Sequence, residues 1–159
     1  MRNVLKAGDS IGIDAYDSIP DVCGVYGKTA AIIGGKQALA AAQDKILAAL
    51  GKSDIKAVEC LWYGGETSVE NIGMLAPRVQ KVDMIFAVGG GKAIDTAKVL
   101  AQRNGKPLFT FPTIASTCAA CTSLGILYHP DGSLREYSFS KIPPNHIFID
   151  TQIIANAPI

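Results

Sequence analysis

Short apolar runs alternate along this chain with longer stretches in which apolar residues recur every three or four positions. "KTAAIIGG", residues 28–35, has the pattern of a buried strand and stops at two glycines. "KQALAAAQDKILAALGK" then carries Leu39, Ala42, Ile46 and Leu50 at helical spacing, with Gly51 as a C-cap. "IKAVECLWYGG" predicts a second strand. "ETSVENIGMLAPRVQK" predicts a helix with Ser68 as N-cap and Asn71, rather than Glu, three residues on. Pro77 inside that stretch is expected to kink or split it. "VDMIFAV" is a third strand, "KAIDTAKVLAQRN" a helix closed by Gly105, and "KPLFTFP" a fourth strand ended by Pro112. The order βαβαβαβ with short connections predicts an α/β, Rossmann-like domain: a mostly parallel sheet with helices on both faces. Ahead of it the start is weakly patterned, and "IPDVCGVYG" predicts a short helix ending at Gly27. Behind it, Asp131-Gly132 between two strand-like runs predicts a C-terminal β-hairpin. "NHIFID" predicts a last strand, and "TQIIANAPI" begins a helix or turn. No repeat or linker interrupts the chain, so residues 1–159 read as one domain.

Composition narrows the class of protein. The chain has 159 residues, 48% hydrophobic and 18% charged, enough to bury a sizeable core and too apolar for disorder. Net charge is +1 with no basic run, which argues against nucleic acid as a partner. No apolar stretch reaches the roughly 20 residues of a membrane span. The start, "MRNVLKAGDSIG", has no apolar signal core, and the four cysteines then read as reduced thiols in the cytoplasm.

Chemistry gathers where the third strand meets its helix. Gly89, Gly90 and Gly91 sit between an apolar strand and a helix, and glycine costs conformational entropy there unless a bare backbone is needed. Parallel sheets bind ligands beyond the carboxyl ends of their strands, and a helix N-terminus offers free N–H groups and partial positive charge. Together these fit a pyrophosphate. Lys92 adds a cation, and Asp95, on the same helix face, is expected to fix Lys92 or touch the ligand. The run is neither G-x-G-x-x-G nor a P-loop, so its meaning depends on its neighbours, and the alternative is a tight turn with no ligand. One neighbour is "FPTIASTCAACTS", an uncharged loop bearing Thr113, Ser116, Thr117, Thr122 and Ser123. It could cradle a second part of one dinucleotide or simply cap a short helix.

Other residues carry rival readings. Cys118 and Cys121 form a C-x-x-C, which could be a redox dithiol or, with His129 and His146, a zinc site; the competing reading is a loop of small residues. Cys23 and Cys60 lie in apolar patterns and read as core. Trp62 and Tyr63 read as core edge before ligand contact. Glu59, Glu66 and Glu70 show no paired spacing for acid–base work and read as solvated surface. The histidines read as surface or hairpin residues.

"GGGKAIDTAK" followed by "PTIASTCAACTSLGILYHPDG" resembles the iron-containing alcohol dehydrogenase superfamily, in its glycerol-dehydrogenase-like branch, and the similarity runs through "FIDTQIIANAPI". The resemblance implies an N-terminal nucleotide domain, a second all-helical domain, and hydride transfer between NAD or NADP and a small alcohol, polyol or 2-hydroxy acid. It also implies a divalent metal, zinc or iron, that activates the hydroxyl. Gly89, Gly90, Gly91, Lys92 and Ala93 would hold the pyrophosphate. Thr113, Ile114, Ala115 and Ser116 would line the nicotinamide side, with Thr122, Leu124 and Tyr128 also facing the cofactor. Three departures matter. Glycerol dehydrogenases carry Asp where this chain has Cys118, which puts glycerol in doubt as the substrate. Gly34-Gly35-Lys36 replaces the acid that NAD-specific members place after the first strand, which leans towards NADP. "IIGGKQALAAAQ" and "WYGGETSVENI" also look like members that reduce 2-oxo acids. The family's metal ligands fall after the last residue, so the helical domain is expected to be absent and the chain incomplete for catalysis. A chain lacking that domain would expose the face that met it, so homo-oligomerisation is expected. The rival functions are a nucleotide-binding remnant without turnover and a dithiol redox protein.

Overall fold

The computed structural model describes residues 8–158. Six parallel strands form one sheet: β1 (Gly8–Gly12), β2 (Thr29–Gly34), β3 (Lys56–Trp62), β4 (Met84–Gly89), β5 (Leu108–Pro112) and β8 (His146–Asp150). Their order is β1-β8-β5-β4-β2-β3. A two-stranded antiparallel hairpin, β6 (Leu124–Tyr128) and β7 (Leu134–Phe139), stands apart from it. The helices are α1 (Ile19–Cys23), α2 (Lys36–Leu50), α3 (Val69–Val79), α4 (Gly91–Asn104) and α5 (Thr151–Ala155).

Both faces of the sheet are covered, which the continuous apolar runs require. In β4, Ile85 and Ala87 face α3, α4 and the hairpin, while Met84, Phe86 and Val88 face α1, α2 and α5. On the second face Phe86, Phe109, Phe111 and Phe148 are fully buried, with Phe111 and Phe148 stacked at 4.9 Å. Burial of a side chain this large stabilises the fold by on the order of 2–3 kcal/mol. Cys23 packs in the same cluster, where burial pushes its thiol up to about 12.

The strand–helix alternation, the two-faced packing and the hairpin follow the sequence pattern. Ser68 caps α3 as expected, its Oγ accepting from the Asn71 N–H at 3.2 Å. The structure adds to or departs from that pattern at three places. Pro77 does not split α3, which runs on to Val79. It lies in the last turn, and the Gly73 carbonyl that loses its donor is exposed to solvent. Within the weakly patterned start, residues 8–12 form β1, which pairs with β8. Cys60 is not core: β3 is an edge strand that alternates exposed and half-buried positions, and the Cys60 thiol faces outward and donates to Gln43 Oε1 at 3.1 Å.

Candidate functional site

The chain passes from β2 outward to β3, then crosses back to β4 on the other side of β2. That reversal opens a crevice between the carboxyl ends of β2 and β4. Here the two backbones nearly touch. A Cβ at Gly34 would come within 2.5 Å of the Val88 carbonyl oxygen, and Gly35 N–H donates to that same oxygen at 3.3 Å. Gly89 turns the chain into α4 with φ of +145°, a conformation that glycine alone takes without strain. Gly90 follows as N-cap, and a Cβ there would lie 2.9 Å from Ile114 Cδ1. α4 therefore begins with bare backbone and its free N–H groups at the mouth of the crevice.

Around this corner lies an open cleft of about 990 Å³. It is built from segments that follow the carboxyl ends of β2, β3, β4, β5 and β8. Gly89, Gly90, Gly91, Lys92, Ala93, Thr113 and Ile114 all line it. So do Gly35, Lys36, Lys45, Trp62 and Tyr63. Trp62, expected as core edge, is 49% exposed, and Lys36 Nζ sits 4.6 Å over its ring. The indole points outward because β3 has a neighbour on one side only.

Three lysines give the cleft its charge. Lys92 Nζ donates to Glu66 Oε2 at 2.6 Å and lies 5.5 Å over the Tyr128 ring. The Glu66 hydrogen bond is the main reason the Lys92 pKa stands above its ordinary value. Glu66 is thus a paired side chain and not the free surface acid expected from the sequence. Glu59 is paired too, with Arg78 at 2.5 Å. Lys45 Nζ donates to the buried Asp150 at 2.7 Å. Lys36 has no acid partner among the described residues.

Asp95 is not on the cleft, and it does not fix Lys92. It is buried beneath the hairpin, pairing with Lys98 Nζ at 3.1 Å and accepting from the Ile126 N–H at 3.2 Å. Lys98 also donates to Thr122 Oγ1 at 3.3 Å and to the Leu124 carbonyl at 2.8 Å. Burial pulls the Lys98 pKa below its ordinary value. Asp95, Thr122 and Leu124 therefore converge on one buried ammonium, away from the cleft lining. Spacing along α4 suggested the i, i+3 pair of Lys92 and Asp95; the pair that forms is Asp95 with Lys98, under a hairpin that no local spacing shows. Tyr128 reaches the site only by lying under Lys92. Ala115, Ser116 and Cys118 are exposed on the loop after β5, beside the cleft rather than in its lining.

His129 lies in the hairpin turn; His146 sits in β8, 2.8 Å from Ser10 Oγ. Among the described residues no group of three or more His, Cys, Asp or Glu could hold a metal ion, so the zinc reading of Cys118 and Cys121 is not assembled. The family's metal likewise finds no ligand set among the described residues.

These features define a doubly wound parallel-sheet domain with a cationic, glycine-walled cleft at its switch point. The profile of iron-containing alcohol dehydrogenases matches residues 10–151, and the chain belongs to that family. It is 35% identical over 133 residues to glycerol dehydrogenase 1 of Schizosaccharomyces pombe, covering 83% of this chain and 29% of that one. It is 36% identical to hydroxycarboxylate dehydrogenase A of Escherichia coli K12, covering 78% and 34% respectively. The crystal structure of glycerol dehydrogenase from Schizosaccharomyces pombe superimposes with a TM-score of 0.88 at 31% identity, over 99% of this chain and 41% of that one. The chain thus spans well under half the length of these relatives. No helix among the described residues is long and apolar enough to cross a membrane.

Proposed function

We propose that this chain is the nucleotide-binding portion of a metal-dependent dehydrogenase, that it takes NADP in preference to NAD, and that the full enzyme acts on a small 2-hydroxy acid and its 2-oxo acid. Residues 1–159 form the cofactor domain in this reading, and the metal ligands belong to the helical domain of the family. The observation that carries the cofactor assignment is Lys36. It opens α2 just past the end of β2, where an acid would otherwise meet the ribose diol, it lies over Trp62, and no carboxylate among the described residues neutralises it. That is an environment for a 2′-phosphate.

The glycine corner suits the diphosphate, because Gly89, Gly90 and Gly91 put bare backbone on the cleft wall at the start of α4. Backbone N–H groups at the start of α4 would donate to the phosphate oxygens. Lys92 would add charge, exchanging part of its bond to Glu66. Thr113 and Ile114, at the end of β5, would border the nicotinamide side, with Ala115 and Ser116 beyond them. NADP, when bound, supplies the hydride-accepting C4 of its nicotinamide. Cys118 stands where a polyol-binding carboxylate would repel an acid substrate, and with cysteine in that place the carboxylate is gone. The likeness to hydroxycarboxylate dehydrogenase A supports the same substrate class.

The test is a fluorescence titration with NADPH and NADH. Tighter binding of NADPH, by about tenfold or 1.4 kcal/mol, and loss of that preference in Lys36→Glu are expected. Equal affinity for the two nucleotides would remove the NADP assignment, and no affinity for either would remove the cofactor cleft.

A further inference from the structure

The loop after β5 carries two thiols outside the buried core and outside the cleft lining. Cys118 and Cys121 are both exposed and both free. They bracket a single 3-10 turn, Ala119–Cys121, in which Cys121 N–H donates to the Cys118 carbonyl at 3.1 Å. A turn closed in this way holds its end Cα atoms under about 7 Å apart, within reach of the roughly 4.4–6.8 Å a disulfide needs. Cys121 Sγ already folds back over the turn, 3.3 Å from the Cys118 carbonyl oxygen.

The turn is anchored by groups other than the sulfurs. The buried Thr110 Oγ1 donates to the Ala120 carbonyl at 2.9 Å. Ala119 N–H donates to Thr117 Oγ1 at 3.2 Å, and Lys98 holds Thr122 Oγ1 on the far side. Joining the sulfurs therefore requires side-chain rotation with little change in the backbone. The same loop borders the cleft: Thr117 Oγ1 lies 3.4 Å from where a Gly91 Cβ would be.

We propose that Cys118 and Cys121 form a reversible disulfide across this turn, a redox-responsive modification site on the loop that borders the cleft. The oxidant is a small-molecule disulfide of the glutathione class. One cysteine thiolate attacks a sulfur of that disulfide, breaking its S–S bond and releasing one thiol. The second cysteine attacks the resulting mixed disulfide, forming the Cys118–Cys121 bond and releasing the second thiol. The pair loses two protons and two electrons, and the oxidant gains them. A dithiol reductant reverses both steps. The consequence for the cleft rests on the cofactor reading above: oxidation ties Cys118 back onto its own turn and removes it from the substrate side.

The experiment uses the full chain carrying Cys60→Ser, which leaves the pair as the exposed thiols. The protein is equilibrated in glutathione buffers of graded redox poise, then alkylated and mapped by mass spectrometry. The expected result is one cooperative loss of alkylation at both positions, with a peptide lighter by two hydrogens and no retained glutathione. In Cys118→Ser, the remaining Cys121 should retain glutathione as a mixed disulfide. Independent alkylation of the two cysteines across all buffers, or stable glutathione adducts on both, would overturn the proposal. NADPH titration of the oxidised and reduced forms keeps the two readings separate: a chain that forms the disulfide yet binds no nucleotide refutes the cofactor cleft and not the dithiol.

Discussion

Three side chains, or their absence, give tests that local geometry decides. A methyl group at Gly34 would meet the Val88 carbonyl oxygen at 2.5 Å, and that backbone is locked in the sheet centre. Gly34→Ala should therefore destabilise the fold by about 1–3 kcal/mol, read from a urea midpoint. Gly91 differs. A Cβ there meets only the Thr117 side chain, at 3.4 Å and beyond, so Gly91→Ala should leave the urea midpoint nearly unchanged. In the proposed binding mode it should still weaken NADPH binding by about tenfold, because Gly91 lines the cleft at the start of α4. Equal loss of stability in both variants would contradict this division. His146 sets a pH dependence. Burial lowers its pKa below 6.5, with Asp9 opposing weakly. The unfolded chain then takes up the proton first as pH falls through about 6.5. Stability contributed by neutral His146 is present above that value and is lost below it. Urea midpoints at about pH 7.5 and 5.5 should differ more in the native chain than in His146→Gln, whose amide can still meet Ser10. An equal difference in both would remove His146 as a source of the slope.

The hairpin is docked on α4 by polar groups as well as apolar ones. Asp95 accepts from the Ile126 N–H, and Lys98 donates to the Leu124 carbonyl, both from a helix whose inner face is otherwise Ile94, Ala97, Leu100 and Ala101. Removing one ion strands the other. Asp95→Ala should destabilise the domain by about 3–5 kcal/mol, while Lys98→Met added to it should recover much of that loss. Urea denaturation of both variants checks the order, and an additive second loss would contradict the buried-pair account. This element also shows where sequence reading stops. The strands β2, β4 and β5 and the helices α2 and α4 are legible because their patterns are local: apolar runs ended by glycine, helical spacing and caps. So is the glycine corner, since three glycines between a strand and a helix have few other uses. β1 is not legible, because "GDSIG" carries two glycines, an Asp and a single large apolar residue, and becomes a strand only by pairing with β8, more than a hundred residues away. The Glu66–Lys92 bond and the arrival of Thr122 and Leu124 at Lys98 are hidden for the same reason. Each joins residues whose spacing has no period.

The sheet satisfies its two faces from within the described residues, yet apolar side chains remain on the outside. β7 is exposed along nearly its whole length, and Tyr137 and Phe139 share one of its faces, Phe139 at 68% exposure. Ile142 follows just beyond the strand and is also exposed. A row of this kind is costly in water, and β7 is an edge strand with no strand beyond it. Coverage by a second protein surface would remove both costs, and another copy of the chain provides one in purified solution. Self-association is therefore expected, with a dependence on concentration that light scattering or sedimentation can follow. Replacing Tyr137 and Phe139 together by Thr should shift the equilibrium towards monomer without lowering the urea midpoint, because neither side chain is buried in the folded chain. NADPH affinity should also be unchanged, since β7 contributes nothing to the cleft lining. A native chain that stays monomeric at all concentrations would show that this face is tolerated in water. A double variant that associates as strongly as the native chain would move the contact elsewhere, and the sheet edge at β1, where Ile11 and Ile13 stand exposed on and just beyond the strand, would then be the surface to alter next.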